Sequence, residues 1–192
     1  MDQEQEWILR ARAGDAEAFT KLVEAYQTPV YNLAYRMLGN SVEAEDAAQE
    51  TFIRVYTRLH TYDEDRKFSS WLLSIASHYC IDRLRRRRMT LLSLEDVAFT
   101  GHLASDVDRP EETVGRDEKE GMVRKLLDKL PEDYRAAVVL RYWYDCSYKE
   151  IAHMLDTTES AIKSRLFRAR QMMARAACET VPELNPSLAV AA

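Results

Sequence analysis

Histidine and cysteine, the side chains that most often do covalent or metal chemistry, are few in this chain and far apart. The 192 residues include four histidines and three cysteines. They are His60, His78, His102, His153, Cys80, Cys146 and Cys178. No group of them has the spacing of a catalytic nucleophile with its base or of a zinc site, and no glycine-rich phosphate loop is present. The sequence therefore predicts no catalytic residue, no metal and no cofactor, and hence no enzyme.

Charged side chains are distributed unevenly along the chain, although the overall net charge is a modest −5. Residues 66–88 carry seven basic side chains against one acid, and residues 160–177 carry five basic side chains and no acid. Residues 90–133, which lie between these clusters, carry twelve acids against six basic residues. Two separate basic clusters are typical of a protein that binds nucleic acid, because phosphate backbones attract Lys and Arg.

The second basic cluster follows the pattern of a helix-turn-helix. A short helix, Tyr148–Leu155, is followed by a turn and by a longer helix from about Glu159 to Ala177. The apolar seam between the two helices would consist of Ile151, Leu155, Ile162 and Leu166. Four polar side chains off this seam could reach phosphates and base edges in the major groove. They are Lys163, Ser164, Arg168 and Arg170. The alternative is a helical hairpin with a solvated basic face.

The first basic cluster is mixed with aromatic residues. Bases that leave a duplex stack on flat rings while cations hold their backbone, so this mixture suits single-stranded or melting DNA. The alternative is that the rings belong to a hydrophobic core and that the arginines form a solvated helix end. The residues concerned are Tyr62, Arg66, Lys67, Phe68, Trp71, Tyr79, Arg83 and Arg85–Arg88.

Helical periodicity runs through most of the chain and defines the elements that position these clusters. It predicts a helix to Leu38 with Asp15 as its N-cap, a second helix from Ser41, and a third from about Lys67 to Arg88. Further helices are predicted over residues 116–130 and from Pro131, ahead of the helix-turn-helix. Strand patterns are absent, so the predicted fold class is all-α.

The helical pattern is lost between residues 90 and 115, which indicates a boundary between two domains. The predicted organisation is a helical bundle at residues 1–89, an acidic and mostly irregular linker at 90–115, a helix-turn-helix domain at 116–177 and a frayed tail at 178–192. Without a partner, we expect the two domains to move on their linker.

Two long parts of the chain resemble bacterial σ factors of the σ70 family, more narrowly the extracytoplasmic-function (group 4) σ factors. The strings YRMLGNSVEAEDAAQETFIRVY at 35–56 and KFSSWLLSIASHYCIDRLRRRR at 67–88 resemble conserved region 2. The strings LPEDYRAAVVLRYWYDCSYKEIAHML at 130–155 and SAIKSRLFRARQMM at 160–173 resemble region 4. The resemblance implies a σ2-like and a σ4-like domain that bind core RNA polymerase and direct it to promoters.

The resemblance also implies which residues meet which partner. Region 2 would bind the clamp coiled coil of the largest polymerase subunit through Asp46, Gln49, Glu50, Phe52, Ile53 and Arg54. It would read and melt the −10 element through Tyr62, Arg66, Lys67, Phe68, Trp71, His78, Asp82, Arg83, Arg85 and Arg86. Region 4 would read the −35 element in the major groove through Thr158, Ser160, Lys163, Ser164, Arg165, Phe167, Arg168 and Arg170. Its apolar surface would meet the flap tip of the second-largest subunit.

Two departures from the family pattern affect these expectations. His78 stands where the family usually has Asn, and an imidazole places its donor and acceptor on different ring edges whereas an amide presents both together. The −10 base preference can therefore differ. Thr158, Ser160 and Ala161 replace the usual Pro, Gly and Thr before the recognition helix, which can change the angle at which that helix begins.

The expected partners follow from the same resemblance. They are core RNA polymerase, promoter DNA and a cognate anti-σ factor, often membrane-bound, while the chain itself would be a cytoplasmic monomer that does not insert into membranes. The residues alone are also compatible with two other classes of protein. A helix-turn-helix repressor or activator that binds duplex DNA by itself would explain residues 130–175 but not the aromatic and basic mixture at 61–88. A pure protein adaptor would show no sequence-specific DNA recognition.

Overall fold

The computed structural model describes residues 3–97 and 117–180, and every regular element within these ranges is helical. The helices are α1 (Gln3–Arg12), α2 (Ala16–Leu38), α3 (Ser41–Arg58), α4 (Phe68–Val97), α5 (Asp117–Asp128), α6 (Glu132–Trp143), α7 (Tyr148–Met154) and α8 (Glu159–Thr180), with a 3-10 turn at Leu59–Thr61. The predicted all-α class is confirmed. We call α1–α4 the N-terminal bundle and α5–α8 the C-terminal bundle.

Helix α2 is the centre of the N-terminal bundle and packs against α1, α3 and α4. The predicted N-cap is confirmed, because the Asp15 carboxylate accepts hydrogen bonds from the backbone N–H groups of Glu17 and Ala18 at 2.9 and 3.2 Å. Gly39 ends the helix in the left-handed region, with φ of +74°, which a residue without a Cβ adopts freely. Pro29 lies inside α2, which continues past it.

Two elements of the N-terminal bundle differ from the prediction. Periodicity did not indicate α1, because this helix has only ten residues and buries only Ile8 and Ala11. Helix α4 was predicted to end near Arg88 but continues to Val97. Residues 89–97 contain leucine, methionine and glutamate and neither glycine nor proline, so nothing in them stops a helix. The remainder of the predicted linker and of the predicted C-terminal tail lies outside the described residues.

The helix-turn-helix is made by α7 and α8, whose predicted apolar seam is buried. Ser147 and Glu150 form the predicted capping box at the start of α7, and hydrogen bonds from Ser147 hold the pKa of the Glu150 carboxyl below its usual value. Asp156 turns the chain between the helices with φ of +47°, a conformation that Asp tolerates better than most residues. The Thr158 hydroxyl then accepts a hydrogen bond from the Ala161 N–H at 3.2 Å and caps α8.

The two bundles touch, and their buried residues form one continuous hydrophobic cluster. Helices α6 and α7 pack against α4, and α5 and α6 pack against α2. The Tyr144 hydroxyl donates a hydrogen bond to the Pro29 carbonyl at 2.6 Å, and the guanidinium of Arg36 lies 5.2 Å from the ring centroid of Trp143. Sequence periodicity identifies which face of a helix is apolar but not which helix covers it. The direct contact between the bundles was therefore not predicted.

The capping box gives the first testable prediction. The substitution Ser147→Ala removes the side chain that satisfies an N–H group of α7, which costs about 1 kcal/mol of folding free energy. For a chain of this length we expect the melting temperature to fall by about 2–4 °C in a circular-dichroism melt. Ser164→Ala is the matched control, because Ser164 is exposed in the middle of α8. Equal melting temperatures for the two variants would contradict the cap.

Candidate nucleic-acid interface

The exposed side of α8 carries most of the residues predicted to contact the −35 element. Lys163 and Phe167 lie one turn apart on this side, and Phe167 is 55% exposed although it is aromatic. The residues that share the exposed side are Ser160, Lys163, Ser164, Phe167, Arg168 and Arg170. Arg168 also lies 3.5 Å from the Tyr134 hydroxyl of α6. The result is a convex basic surface on a helix that is held in a helix-turn-helix, which is the geometry that enters a major groove.

Two predicted residues lie at the edge of this surface. Arg165 is half-buried and lies on the flank of α8 rather than on its exposed side. The hydroxyl of Thr158 is engaged as the N-cap of α8. A helix N-terminus of this kind presents backbone N–H groups, which favour a phosphate.

The aromatic residues at the start of α4 pack against one another. The ring centroids of Tyr62 and Phe68 are 5.4 Å apart in an edge-to-face arrangement, and that of Trp71 lies 5.3 Å from Tyr62. Phe68 is 2% exposed and Tyr62 is 7% exposed, whereas Trp71 is half-buried. The structure therefore places two of the four rings of the first basic cluster in the hydrophobic core, while Trp71 and Tyr79 are half-buried.

A cavity of about 170 Å³ lies between α1 and the loop that precedes α4. Its apolar lining includes Ile8 and edges of Tyr62 and Phe68, and its polar lining includes Arg66 and Lys67. Arg66 also pairs with Asp63 at 3.4 Å, and its carbonyl accepts a hydrogen bond from the Tyr62 hydroxyl. Helix α1 was not part of the predicted site, and no motif in its short sequence identified it.

One side of α4 combines four of the residues predicted to contact the −10 element. These are Trp71, His78, Asp82 and Arg85, which follow one another at intervals of seven, four and three residues. The Nδ1 atom of His78 lies 2.8 Å from the Ser74 carbonyl, so the Nε2 atom is directed away from the helix. Arg83 lies on another side, 3.7 Å from Glu43, and Arg86 is exposed.

Acidic residues of the C-terminal bundle face this side of α4. The Arg85 guanidinium is 3.0 Å from the Asp133 carboxylate and 3.5 Å from that of Glu132. Arg88 also lies 3.4 Å from Glu132 and Lys67 lies 3.2 Å from Glu150. The Nε2 atom of His78 lies 3.4 Å from the Asp156 carboxylate. These carboxylates occupy positions at which phosphate oxygens would also satisfy the cations.

Helix α3 presents a row of exposed residues on the side that faces away from the core. The row comprises Val42, Asp46, Gln49, Ile53 and Tyr56, with Val42 66% exposed, Ile53 59% and Tyr56 52%. The predicted polymerase-binding residues Asp46, Gln49 and Ile53 belong to it. Val42 and Tyr56 were missed, although their spacing of four and three residues from the others would have identified them.

The remaining residues predicted to bind polymerase lie beside or behind this row. The Glu50 carboxylate accepts a hydrogen bond from the Nε of Arg54 at 2.7 Å, and the Arg54 guanidinium lies over the ring of Tyr79. Phe52 is half-buried and packs against the core. An exposed row of apolar residues flanked by an acid and an amide has the composition of a protein-binding surface.

The cysteines have no features of a reactive site. Burial raises the pKa of the Cys80 thiol to about 12 and that of Cys146 to about 11, so both are protonated thiols at neutral pH. Among the residues whose positions are described, no three His, Cys, Asp or Glu side chains converge as metal ligands would. Within the same residues no helix is long and apolar enough to span a membrane.

The exposed basic side of α8, the basic side of α4 with Trp71 and the exposed apolar row on α3 have the composition of surfaces that bind nucleic acid and protein. Comparison with known proteins gives the family. The family model described as Sigma-70 region 2 matches residues 22–90, and the model described as Sigma-70, region 4 matches residues 120–173. The ECF RNA polymerase sigma factor SigW of Bacillus subtilis (strain 168) is 37% identical over 172 residues, covering 86% of this chain and 92% of the relative.

Two solved structures share the fold. The structure of CnrH in complex with the cytosolic domain of CnrY has a TM-score of 0.68 and 23% identity, covering 94% of this chain and all of that one. The structure of the sigma factor RpoE in complex with the anti-sigma factor NepR from Bartonella quintana has a TM-score of 0.64 and 20% identity. The match covers 83% of this chain and 96% of that one. The chain belongs to the extracytoplasmic-function RNA polymerase sigma factors of the σ70 family. It is therefore a transcription initiation factor that confers promoter specificity, and not an enzyme.

Proposed function

We propose that the exposed side of α8 reads the −35 element in the major groove. The observation that carries this proposal is the exposed basic surface of α8, which holds Lys163, Phe167 and Arg168 on a buried helix-turn-helix seam. Lys and Arg can bind guanine edges and phosphates, and the exposed ring of Phe167 suits the methyl group of thymine. Arg165, on the flank of the helix, then serves as a phosphate contact.

We propose that the side of α4 with Trp71, His78 and Arg85 reads the −10 element, and that the neighbouring cavity accepts a base of the melted strand. A base that leaves the stack needs an apolar pocket and cations for its phosphates, and Phe68 and Lys67 supply these at the cavity. Tyr62 and Phe68 then form the wall of the pocket and hold Trp71 in place.

Region 2 is also proposed to bind polymerase, through the row on α3. Its residues are exposed while the rest of α3 packs against α2 and α4. We extend the row beyond the predicted set to Val42 and Tyr56, and we assign Glu50 and Arg54 a supporting role at its edge. The partner surfaces would be the clamp coiled coil for α3 and the flap tip for region 4.

We propose that the chain acts in the cytoplasm as a monomer and that an anti-σ factor controls it. Its membership of the σ70 family supports this proposal. The Bartonella relative was solved with such a factor. We further propose σ2-like and σ4-like domains at residues 1–89 and 116–177, separated by an acidic linker. Since α4 continues to Val97, we extend the first domain to that residue.

Promoter-specific run-off transcription tests the proposal as a whole. Purified bacterial core polymerase transcribes a genomic DNA library with and without the protein, and the start sites of protein-dependent transcripts are mapped. Shared −35 and −10 sequences upstream of these start sites are the expected result. A protein that binds duplex DNA alone and does not bind core polymerase would instead be a repressor or activator.

Removing two cations from α8 separates promoter reading from polymerase binding. The double variant Lys163→Ala/Arg168→Ala loses contacts worth about 1–3 kcal/mol each, so run-off from the mapped promoters falls at least about tenfold. The control Lys125→Ala/Arg175→Ala removes the same charge from exposed positions on α5 and on the last turns of α8. Core polymerase binding stays unchanged in both variants. Loss of core binding in the first variant would contradict the assignment.

The α3 row is tested by Ile53→Ala. Truncating an apolar residue at the centre of a protein interface costs about 1–2 kcal/mol, so the affinity for core polymerase falls about 5–30-fold. Met89→Ala is the control, because Met89 is an exposed apolar residue on α4. Thermal melts show whether both variants stay folded. Equal affinity of Ile53→Ala and Met89→Ala for core polymerase would remove α3 from the interface.

His78 is tested by replacing it with the residue usual in the family. In His78→Asn one amide presents both a donor and an acceptor, so the base preference at one −10 position changes while transcription continues. The measurement is run-off on a library of promoters randomised across the −10 element. His60→Asn is the control, because His60 is exposed and lies outside α4. Unchanged preference at every position would show that His78 has only a structural role.

A further inference from the structure

We propose that α1 is a positioning element of the −10 site, and that the ion pair between Arg12 and Glu64 holds the loop at residues 62–67 in the arrangement that discriminates bases. This inference rests on the proposed −10 role of α4 and of the cavity beside it. It assigns part of the base preference to a contact outside the DNA-binding surface. Glu64 lines the cavity and Arg12 does not, so Arg12 acts through Glu64.

The loop before α4 is anchored at both ends and exposed in the middle. Tyr62 and Phe68 are buried, and their rings pack edge to face, whereas the five residues between them are exposed. The Asp63 carboxylate accepts a hydrogen bond from the Asp65 N–H at 3.1 Å, and the Asp63 carbonyl accepts one from the Arg66 N–H at 3.1 Å. These bonds set the local shape of the loop but not its position relative to the helices.

The position of the loop is set by a contact with α1. The Arg12 guanidinium donates a hydrogen bond to the Glu64 carboxylate, although the two residues are 52 positions apart in the sequence. Both side chains are partly exposed. Among the described ion pairs, this one ties the middle of the loop to the rest of the N-terminal bundle. Without it, the exposed stretch would be held only through its two buried ends.

Arg12 can hold the loop because α1 is itself fixed to α2 at both ends. The Nε atom of Arg10 donates a hydrogen bond to the Asp15 carboxylate at 2.8 Å, and Asp15 caps α2. Near the other end of α1, the Tyr26 hydroxyl of α2 donates a hydrogen bond to the Glu4 carboxylate. A helix of ten residues with two buried side chains is marginal alone, so these ties make α1 a firm support.

The cavity connects this support to the reading of bases. Helix α1 contributes Gln5 and Ile8 to its lining, and the loop contributes Glu64 and Lys67. The position of the loop relative to α1 therefore sets the shape of the cavity. Groups that discriminate between ligands have to be held within about 0.5 Å of their productive positions. A loop that moves presents the correct contacts for only part of the time, and the favoured base then loses part of its advantage.

The first test breaks the ion pair and measures base preference with the full chain. Arg12→Ala is combined with bacterial core polymerase, and run-off on a promoter library randomised across the −10 element ranks the bases at each position. Because a partly exposed ion pair contributes little free energy, we expect the preference for the favoured base at one −10 position to fall about two- to fivefold. Preference at the −35 element stays unchanged. Wild-type preference at every −10 position would overturn the inference.

Two further variants separate positioning from charge. Arg10→Ala removes the same charge from the same helix, but its ion-pair partners, Glu6 and Asp15, lie outside the loop. Arg12→Lys keeps a cation near Glu64, and the hydrogen bond to Glu64 comes from one guanidinium nitrogen, Nη1, which an ammonium can replace. We expect both variants to retain the wild-type base preference. A loss in either one as large as that in Arg12→Ala would overturn the inference.

A double variant shows whether Arg12 acts through Glu64. Glu64→Gln removes the other charge of the pair, and it is measured alone and together with Arg12→Ala. If Arg12 acts only by holding Glu64, the double variant has the same base preference as Glu64→Gln alone. Effects of the two substitutions that multiply would show that the residues act independently, and the inference would be wrong.

Limited proteolysis measures the loop without DNA or polymerase. Trypsin cleaves after Arg66 and Lys67 when the backbone there opens locally. We expect this cleavage to be about two- to fivefold faster in Arg12→Ala and Glu64→Gln than in the wild type and Arg10→Ala, because the pair no longer opposes opening. Thermal melts show that the variants stay folded. Equal cleavage rates, or faster cleavage with unchanged base preference, would overturn the inference.

The wild-type run-off distinguishes failure of the inference from failure of the proposed function. If the wild type directs promoter-specific transcription with a defined −10 preference and Arg12→Ala keeps that preference, the inference fails and the proposed function stands. If the wild type gives no promoter-specific transcripts with core polymerase, the proposed function fails and the inference fails with it.

Discussion

One buried guanidinium spans the boundary between the two bundles. Arg135 on α6 is 6% exposed, donates to the Met37 carbonyl at 2.6 Å and pairs with Asp128 at 3.0 Å. Met37 lies in the last turn of α2, where backbone carbonyls have no partner within the helix and form the negative end of its dipole. Arg135 therefore satisfies a group that would otherwise need water, and it does so across the boundary between region 4 and region 2.

This contact also carries a cost. Burial lowers the pKa of the Arg135 guanidinium, because the charged group loses its hydration. Asp128 and the Met37 carbonyl replace only part of that hydration. Its Nε has no hydrogen-bond partner among the described residues. Water would satisfy both the guanidinium and the Met37 carbonyl if the bundles were apart. The contact thus combines favourable apolar burial with unfavourable desolvation of a charge.

Sequence patterns predict the local elements well, because the signals for them are local. Asp15 caps α2, Ser147 and Glu150 cap α7, and the seam from Ile151 to Leu166 is buried as its spacing indicates. Exposure within the proposed sites is harder to predict. Tyr62 and Phe68 have the residue types of a stacking surface, yet they lie in the core because α1 and α2 cover them, and the sequence does not show that cover.

The contact between the bundles was beyond sequence reasoning for a different reason. Glu132 and Asp133 lie in the first turn of α6, where acidic side chains favour the positive end of the helix dipole. This local interaction is enough to explain why the two residues are acidic. In the structure the same carboxylates also meet Arg85 across the boundary. A residue that satisfies a local rule gives no sign of a second, long-range role, so only the three-dimensional placement reveals it.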